Sequence, residues 1–437
     1  MYRHLFNDIS DLWRPLFANS AFLILNTLAG SFLGFLFWVL ATHRYSPAQV
    51  GSGSAYIAAM TLLVSLSEMG LGTALTRFTR SMRSNQADFV NASLTTVASS
   101  TLVTTLIFVI GIPIWSPEMN TLTHSRLHLG LFMGATLAFS LAQFLDRLYV
   151  AFQVTHFVLI RNLLANTLRI GVAMTLGNQL GAAALVLAVG AGALGTLGLS
   201  ALVLAPRALP GYRARPCFDW SLVAERLPYS LGNHFSLLLW NAPPLIYPLV
   251  IVTMLGAEAN ACFYVAWMIA NMLFIVPTAV STSAFAHAAN HADVNGRAFW
   301  YTMRLTLIGL LPIVLGVMLA SKPLLQMFGQ EYMTAGRTLL LLLVISVFPY
   351  TLNTFVIVDY RIRQNVRGVI WVSGFIALLS LTLVVACGTI YALPGIGIGW
   401  VGGQTLGAVF ALLNHRHNAQ AAHASRQAQS SRVLQNE

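Results

Sequence analysis

Charged side chains placed inside long apolar stretches are the residues of this chain whose chemistry most needs an explanation. Charged residues make up 8% of the 437 residues, while 57% are hydrophobic. An ordinary soluble domain has roughly 25% charged residues. A carboxylate such as Glu68 or Asp359 can exchange a proton or bind Na⁺, and an arginine such as Arg169 offers a permanent cationic fork to phosphate. Because charge inside a bilayer is costly, each of these residues is a candidate for function.

Two of the charges are expected to neutralise each other. At about 1.5 Å per residue, Asp146 and Arg161 lie roughly 6–10 Å from the inner ends of two consecutive apolar stretches. This similar depth predicts a structural ion pair. Arg169 lies deeper, which makes it the better candidate for an anionic ligand group. Glu68 has two readings: it either lies near a wet interface, or it faces a watery cavity.

Amide, imidazole and indole groups add hydrogen-bonding and flat apolar surfaces to several stretches. Sugars and drugs are both bound by such mixtures, and a lone polar residue in a span often bonds only to a neighbouring helix. These alternatives stay open at this point. The candidates of this type are Asn26, His234, Asn241, Trp267 and Asn271.

Other catalytic chemistry has little support in the residues. His287 and His291 have a spacing that suits a metal, but no third and fourth ligand is evident. The three cysteines form no disulfide or zinc pattern. There is no Gly-x-Ser-x-Gly elbow, and the one lysine, Lys322, is not in a phosphate-binding loop. We therefore predict no metal, no cofactor and no enzymatic activity.

Twelve apolar stretches position these groups, and each is about long enough to cross a bilayer. They are apolar all round rather than alternating, so they predict helices and an all-α integral membrane protein, not a barrel. The predicted spans are 16–41, 51–73, 89–114, 128–153, 157–176, 181–204, 229–255, 261–286, 299–320, 338–358, 368–387 and 395–413.

The longest interior break, 205–228, is basic and rich in proline, and it divides the spans into two sets of six. Two six-helix sets of equal orientation predict a parallel repeat, the layout of several transporter classes. The predicted segments are an amphipathic interfacial segment 1–15, a bundle 16–204, a cytoplasmic linker 205–228, a bundle 229–413 and a disordered tail 414–437.

The distribution of the basic residues behind the net charge of +11 indicates membrane topology rather than nucleic-acid binding. If both termini are cytoplasmic, the outer side receives only Arg44, Arg126, Lys322 and Arg337, and nearly all other arginines lie inside. This positive-inside pattern predicts a multi-pass protein of a bacterial inner membrane, with membrane lipids as partners.

Glycines repeat every four residues down one face of the last predicted span and in the first. Small residues at this spacing allow two membrane helices to approach closely. We expect such an approach at Gly395, Gly399, Gly403 and Gly407, and at Gly30 and Gly34.

Several stretches resemble one family of membrane proteins. They read NSAFLILN from Asn19, GFLFW from Gly34, EMGLGTALTRF from Glu68, FYVAWMIA from Phe263, and DYR from Asp359. The chain thus resembles bacterial polysaccharide-biosynthesis flippases of the Wzx O-antigen type, in a superfamily with MATE drug exporters and lipid II flippases. The resemblance implies two six-helix bundles around a central cavity lined by the first, second, seventh and eighth spans. It also implies cavity arginines for a diphosphate, for which Arg77 is the nearest equivalent.

The function that this resemblance implies is translocation of a polyprenyl-diphosphate-linked oligosaccharide from the inner to the outer leaflet by alternating access. The product would serve lipopolysaccharide or exopolysaccharide assembly, with glycosyltransferases and a polymerase of the same pathway as partners. A MATE-like antiporter of drugs or metabolites is the alternative, and a membrane-embedded polymerase or acyltransferase is a weaker one. The sugar, the lipid length, the driving ion and the oligomeric state stay open.

Overall fold

The structure is a computed structural model, and every regular element in the part that it describes is a helix. The described backbone comprises residues 2–79, 85–117, 119, 125–290 and 297–435. The description leaves out the side chains of 1–17, 115, 178, 229, 233, 236, 286–290, 297–298 and 416–437.

The chain divides into two compact units, Met1–Tyr264 and Val265–Glu437. The first unit contains α1 (Tyr2–Arg44), α2 (Pro47–Ser67), α3 (Leu71–Phe78), α4 (Gln86–Trp115), α5 (Arg126–Ala151), α6 (His156–Leu180), α7 (Ala182–Leu199), a π-helical turn (Ser200–Leu204), α8 (Ala205–Ala208), α9 (Ser221–Ala224) and α10 (Leu227–Leu255). Helix α10, the seventh predicted span, packs against α2 and α3 within this unit. The predicted bundle boundaries at 204 and 229 stay predictions.

Helix α11 (Ala257–Asn290) begins in the first unit, and its longer part belongs to the second. The second unit also contains α12 (Arg297–Leu319), α13 (Ser321–Gln326), α14 (Gln330–Ile345), α15 (Val347–Ile362) and α16 (Val366–Gln435). Residues 330–362 form one candidate span built from α14 and α15.

Eleven helical segments in the described residues are long and apolar enough to cross a membrane. The last of them, Val366–His415, has 50 residues, and at 1.5 Å per residue it would measure about 75 Å, more than twice the hydrocarbon thickness. Its backbone turns at Ala392, where φ is 52°. This break divides it into two crossings, so the predicted count of about twelve and the all-α membrane fold are confirmed.

Many large apolar side chains point away from the protein on these helices. Ile110 on α4 is 69% exposed, and Leu28 and Phe32 on α1 are similarly open. Water would not tolerate apolar surface on this scale, whereas lipid does. The outer faces of the helices are therefore lipid-facing, and the cores lie between the helices.

The glycine prediction is confirmed for the last span and wrong for the first. A Cβ at Gly407 would lie 2.8 Å from Ile376, and one at Gly399 or Gly403 would meet the backbone of the preceding antiparallel segment. No described atom lies within 4 Å of a Cβ at Gly30 or Gly34. The spacing is the same, but no described helix packs against these positions of α1.

Both ends of the chain are helical where the backbone is described. Helix α1 includes the predicted interfacial segment, and α16 continues to Gln435 through the segment for which we expect disorder. An alanine- and glutamine-rich composition suits a helix. Because the side chains of residues 1–17 and 416–437 lie outside the described residues, the interfacial and disordered characters of these segments stay predictions.

Candidate functional site

The second predicted span, 51–73, is interrupted near its end. Helix α2 ends at Ser67, Glu68 caps it, and Met69 and Gly70 follow with φ of 51° and 73° before α3 begins. A Cβ at Gly70 would be strained at this φ and would lie 2.9 Å from the Cβ of His234 on α10. The turn therefore brings the Glu68 carboxylate close to α10.

Glu68 forms an ion pair across the first unit with Arg147 on α5. The Arg147 Nε lies 3.4 Å from Glu68 Oε1, and the two side chains are 58% and 22% exposed. Gly72 leaves room for this pair, because a Cβ there would collide with the Glu68 carboxylate and lie 2.8 Å from Arg147 Cγ. A single, long and partly exposed contact of this kind is weak, so both groups remain available to other partners.

This pair lines a cavity of about 320 Å³, here called the Glu68 cavity. It is built from α2, α3, α5 and α10, and it contains the predicted His234 and Asn241. The His234 Nε2 donates to the Ser65 carbonyl at 2.8 Å, and Asn241 Nδ2 donates to the Leu237 carbonyl at 2.9 Å. The lining residues are Ser65, Glu68, Gly72, Thr73, Thr76, Arg147, Val150, His234, Leu237, Leu238, Asn241, Ala242 and Leu245.

The predicted ion pair between Asp146 and Arg161 is present and buried. Arg161 Nε donates to Asp146 Oδ1 at 2.7 Å, and its Nη2 donates to Oδ2, which makes the pair bidentate. Nη2 also donates to Asn162 Oδ1 at 2.7 Å, and Nη1 donates to Thr196 at 3.5 Å. Arg161 is 4% exposed, so its charge is satisfied entirely within the protein.

The predicted Asn26 joins this cluster, here called the Arg161 network, which consists of Asn26, Asp146, Arg161, Asn162 and Thr196. Asn162 Nδ2 donates to Asn26 Oδ1 at 3.0 Å and thereby links α6 to α1. Pairs of this kind are the interhelical bonds that lone polar residues often make in membranes.

Arg169 lies two turns further along α6 and borders a cavity of about 210 Å³ together with Asp146, Arg161 and Asn162. Its guanidinium carbon lies 3.7 Å from the centre of the Phe37 ring on α1. Its Nε is buried and has no hydrogen-bond partner in the described part of the chain. Arg169 is thus held by a cation–π contact, and it keeps a donor for an anion.

The two ion pairs lie on different sides of α5. Asp146 and Arg147 are consecutive, and consecutive side chains on a helix point about 100° apart. Asp146 therefore faces α6 and Arg147 faces α2 and α3, so one turn of one helix supplies both sites.

The structure places Arg77 outside the lining of both cavities. It lies on the exposed side of α3, with its guanidinium carbon 5.6 Å from the centre of the Phe78 ring. His291 lies outside the described residues, as does the side chain of His287.

The remaining candidates lie in the second unit. Asp359 is 5% exposed and accepts from Arg363 Nε at 2.6 Å and from His415 Nε2 at 2.7 Å. Trp267 packs in an aromatic cluster, with its ring centre 5.0 Å from that of Trp400, and Asn271 is exposed. Trp267 and Asn271 lie one turn apart on α11, whereas Asp359 lies on α15.

Sequence reasoning did not select Arg147 or Asn162 as site residues. In the sequence, Arg147 directly follows Asp146 and does not stand out as a separate site residue. Only the orientation of the helix shows that the two side chains face different partners. Asn162 follows Arg161 directly, and an amide next to a buried arginine is a signal that could have been used, since a buried guanidinium needs more acceptors than one carboxylate provides.

A family model described as polysaccharide biosynthesis protein matches residues 16–286. The chain belongs to this family. The match includes both cavities and all the intramembrane arginines described above. Among curated protein sequences, no match to this chain was found.

Solved structures with this fold are flippases and transporters. The lipid II flippase MurJ in an inward closed conformation has a TM-score of 0.70 at 13% identity, covering 90% of this chain and 87% of that one. An inward-facing multidrug resistance MATE family transporter of the MOP superfamily has a TM-score of 0.62 at 16% identity, covering 91% of this chain and 94% of that one. A mutant of the MATE transporter VcmN from Vibrio cholerae has a TM-score of 0.61 at 14% identity, covering 94% and 98%. This family member therefore has the fold of MOP-superfamily transporters.

Proposed function

We propose that this family member is a flippase that moves a polyprenyl-diphosphate-linked oligosaccharide between leaflets, from inside to outside. The observation that carries the proposal is the family match over 16–286, the segment that holds Arg147, Arg161 and Arg169 within the membrane. A diphosphate left bare in hydrocarbon would cost several kcal/mol or more per charge. Cationic, hydrated cavities remove most of that cost.

Arg147 and Arg169 are the arginines that support a phosphate role, for different reasons. Arg147 is more than half exposed and tied to Glu68 by one long contact, so an incoming anion can displace the carboxylate. Arg169 keeps a buried donor without a partner in the described residues. Its cavity of about 210 Å³ is smaller than the roughly 300–1,000 Å³ of typical ligand pockets. We infer that it takes an anionic group rather than a whole saccharide.

Polar groups of the Glu68 cavity support a role in handling the sugar. His234 and Asn241 lie on α10, and two residues after Asn241 come Pro243 and Pro244, which remove two consecutive backbone donors and ease bending of the helix. We propose that α10 bends here as access alternates between the two sides of the membrane. Proposed substrate contacts outside the Glu68 cavity remain Asn26, Trp267 and Asn271. Arg77 remains a proposed contact at the cytoplasmic opening.

Glu68 is the better supported of the two proposed coupling carboxylates. It lines a cavity and has one weak partner. Asp359 is held by Arg363 and His415, so ion or proton exchange there requires these contacts to open. We place the protein, by its positive-inside pattern, in the bacterial inner membrane with both termini in the cytoplasm.

The proposal is tested in a strain that lacks this protein and is complemented with variants. Arg169→Ala should leave lipid-linked units on the inner side and reduce surface glycan, because the phosphate then loses its cation. Arg169→Lys is the matched control: it keeps the charge but loses the fork, so it should restore only part of the transport. Measuring surface glycan in the same strain with Arg77→Ala tests the proposed substrate contact at the cytoplasmic opening. Normal surface glycan in both alanine variants would remove the phosphate role of Arg169 and Arg77.

A drug or metabolite antiporter is the second candidate, and the fold shared with MATE transporters favours it. The Glu68 cavity offers a cationic drug one carboxylate, which already faces Arg147 and lies near His234. An export assay with cationic dyes separates the two functions. Dye export with normal surface glycan in the deletion strain would favour the antiporter.

A further inference from the structure

The first unit contains a third, mainly apolar cavity of about 520 Å³ that is distinct from the two described above. It lies between α4, α5 and α7 on one side and the linker after α8 on the other, and it is open along one side. We call it the linker groove. Its apolar wall is formed by Leu94, Leu102, Leu141, Leu145, Leu197 and Tyr212.

The groove has the depth of one leaflet. Helix α4 contributes one face to it, from Asn91 through Thr95 and Ala98 to Leu102. At 1.5 Å per residue this face is about 16 Å long, about half of a hydrocarbon layer of roughly 30 Å. An extended hydrocarbon chain lying along α4 would thus run from headgroup level to the middle of the bilayer.

The polar end of the groove is built by hydrogen bonds between α4 and the linker. Asn91 Nδ2 donates to the Arg213 carbonyl at 3.0 Å, and Arg215 N donates to Asn91 Oδ1 at 3.3 Å. Cys217 N donates to Thr95 Oγ1 at 3.0 Å. These bonds hold the linker against α4. The exposed Arg215 lines the mouth of the groove, and the exposed Arg213 lies two residues before it.

Charge and aromatic residues at this mouth match a lipid headgroup region. Asp88 Oδ1 accepts from Arg215 Nη2 at 2.6 Å, so it neutralises only one of the two arginines. Phe218 and Trp220, just beyond, are 83% and 53% exposed. Exposed aromatic rings are typical of the membrane–water interface, and clustered arginines attract anionic lipids.

We propose that the linker groove binds one anionic phospholipid, with an acyl chain against α4 and the phosphate at Arg213 and Arg215. The bound lipid connects the linker to α4, and this role does not depend on which substrate the protein transports. A neutral phospholipid has the same chains but lacks the net charge that the mouth complements.

Native mass spectrometry of the purified full-length protein in neutral detergent tests the proposal. Phosphatidylglycerol and phosphatidylcholine with identical chains are titrated, and phosphatidylglycerol should be retained preferentially. Arg213→Gln with Arg215→Gln should weaken phosphatidylglycerol binding by about thirtyfold, since each surface arginine contributes roughly fivefold. Phosphatidylcholine binding should change little.

Asp88→Asn is the matched control for the arginine variants. It removes the same Asp88–Arg215 ion pair but keeps both cations, so phosphatidylglycerol binding should be kept or strengthened. Ala98→Trp places a large side chain in the groove and should weaken binding of both lipids. Its unfolding temperature and elution volume show whether it is folded, and the exposed arginine variants provide the test if it is not.

Three results would overturn the assignment. The first is equal retention of the two lipids by the unmodified protein. The second is weakening by Asp88→Asn as strong as that by the arginine variants, which would mean that the ion pair matters and the headgroup does not. The third is much tighter binding of a polyprenyl phosphate than of phosphatidylglycerol, which would assign the groove to the tail of the transported lipid.

Discussion

Two ion pairs on the same turn of α5 have the same chemical groups and opposite surroundings. Asp146 and Arg161 are 14% and 5% exposed, and the contact is bidentate with further bonds to Asn162 and Thr196. Glu68 and Arg147 are 22% and 58% exposed and share one contact of 3.4 Å next to a glycine.

This difference distinguishes charges that are satisfied within the protein from charges that can bind another group. A buried pair is tolerated only when its remaining donors and acceptors are satisfied, and removing one partner leaves an uncompensated charge. An open pair gains little from its contact and loses little when it separates. We propose that the open pair exchanges its partner for a phosphate or a proton during transport, and that the buried pair holds α5 and α6 together.

Breaking the buried pair should have the largest effect on stability. Arg161→Ala leaves Asp146 without its bidentate partner, and we expect a loss of about 3–5 kcal/mol in the free energy of unfolding. Asp146→Asn should have a smaller effect of the same sign. Chemical unfolding of the purified protein in detergent, followed by tryptophan fluorescence, measures both.

The double variant Asp146→Leu with Arg161→Met is the control for this prediction. It removes both charges and retains most of the volume, so it should be more stable than Arg161→Ala. If the single variant unfolds at the same denaturant concentration as the unmodified protein, Asp146 and Arg161 do not hold the helices together.

Removing an amide of the Arg161 network should have the next largest effect. Asn162→Ala deletes the acceptor for Arg161 and the donor to Asn26, and buried groups left unsatisfied cost about 1–3 kcal/mol. Asn241→Ala is the matched control, because in the described residues that exposed amide bonds to its own helix, and its effect should stay within about 0.5 kcal/mol. Equal losses in the two variants would show that the network adds nothing beyond a surface amide.

The buried pair could be predicted from the sequence, and the open pair could not. Asp146 and Arg161 lie at similar depth in consecutive spans, so counting residues from the span ends was enough. Arg147 meets Glu68 only because the second span breaks at Gly70, a turn that an uninterrupted apolar pattern hides. The span pattern likewise indicates the number of crossings, but it does not reveal which face of a helix packs against a neighbour, as the contrast between Gly34 and Gly403 shows.

Opening the exposed pair should change transport far more than stability. Glu68→Gln and Arg147→Gln each remove one charge of a weak pair, and the unfolding free energy should change by about 1 kcal/mol or less. Transport, measured as surface glycan in the complemented deletion strain, should fall in both. If Glu68 couples transport to protons, only Glu68→Gln should also abolish the response to an imposed pH gradient. Unchanged transport in both variants would make the pair an incidental surface contact.

Gly72→Ala distinguishes an effect on transport from an effect on stability most clearly, because its expected effect on stability is the smallest. The added methyl group collides with the Glu68 carboxylate and with Arg147 Cγ, both flexible side-chain atoms, so the pair should part without disturbing the backbone. Alanine also favours the helix by about 1 kcal/mol over glycine, which offsets the lost contact. We expect a net change near zero in unfolding free energy and a transport defect like that of Arg147→Gln.

Gly34→Ala is the matched control, since no described atom lies within 4 Å of its added Cβ, and it should leave transport unchanged. If Gly72→Ala instead unfolds the protein as readily as Arg161→Ala does, the Glu68–Arg147 contact is structural, and the distinction between the two sides of α5 fails.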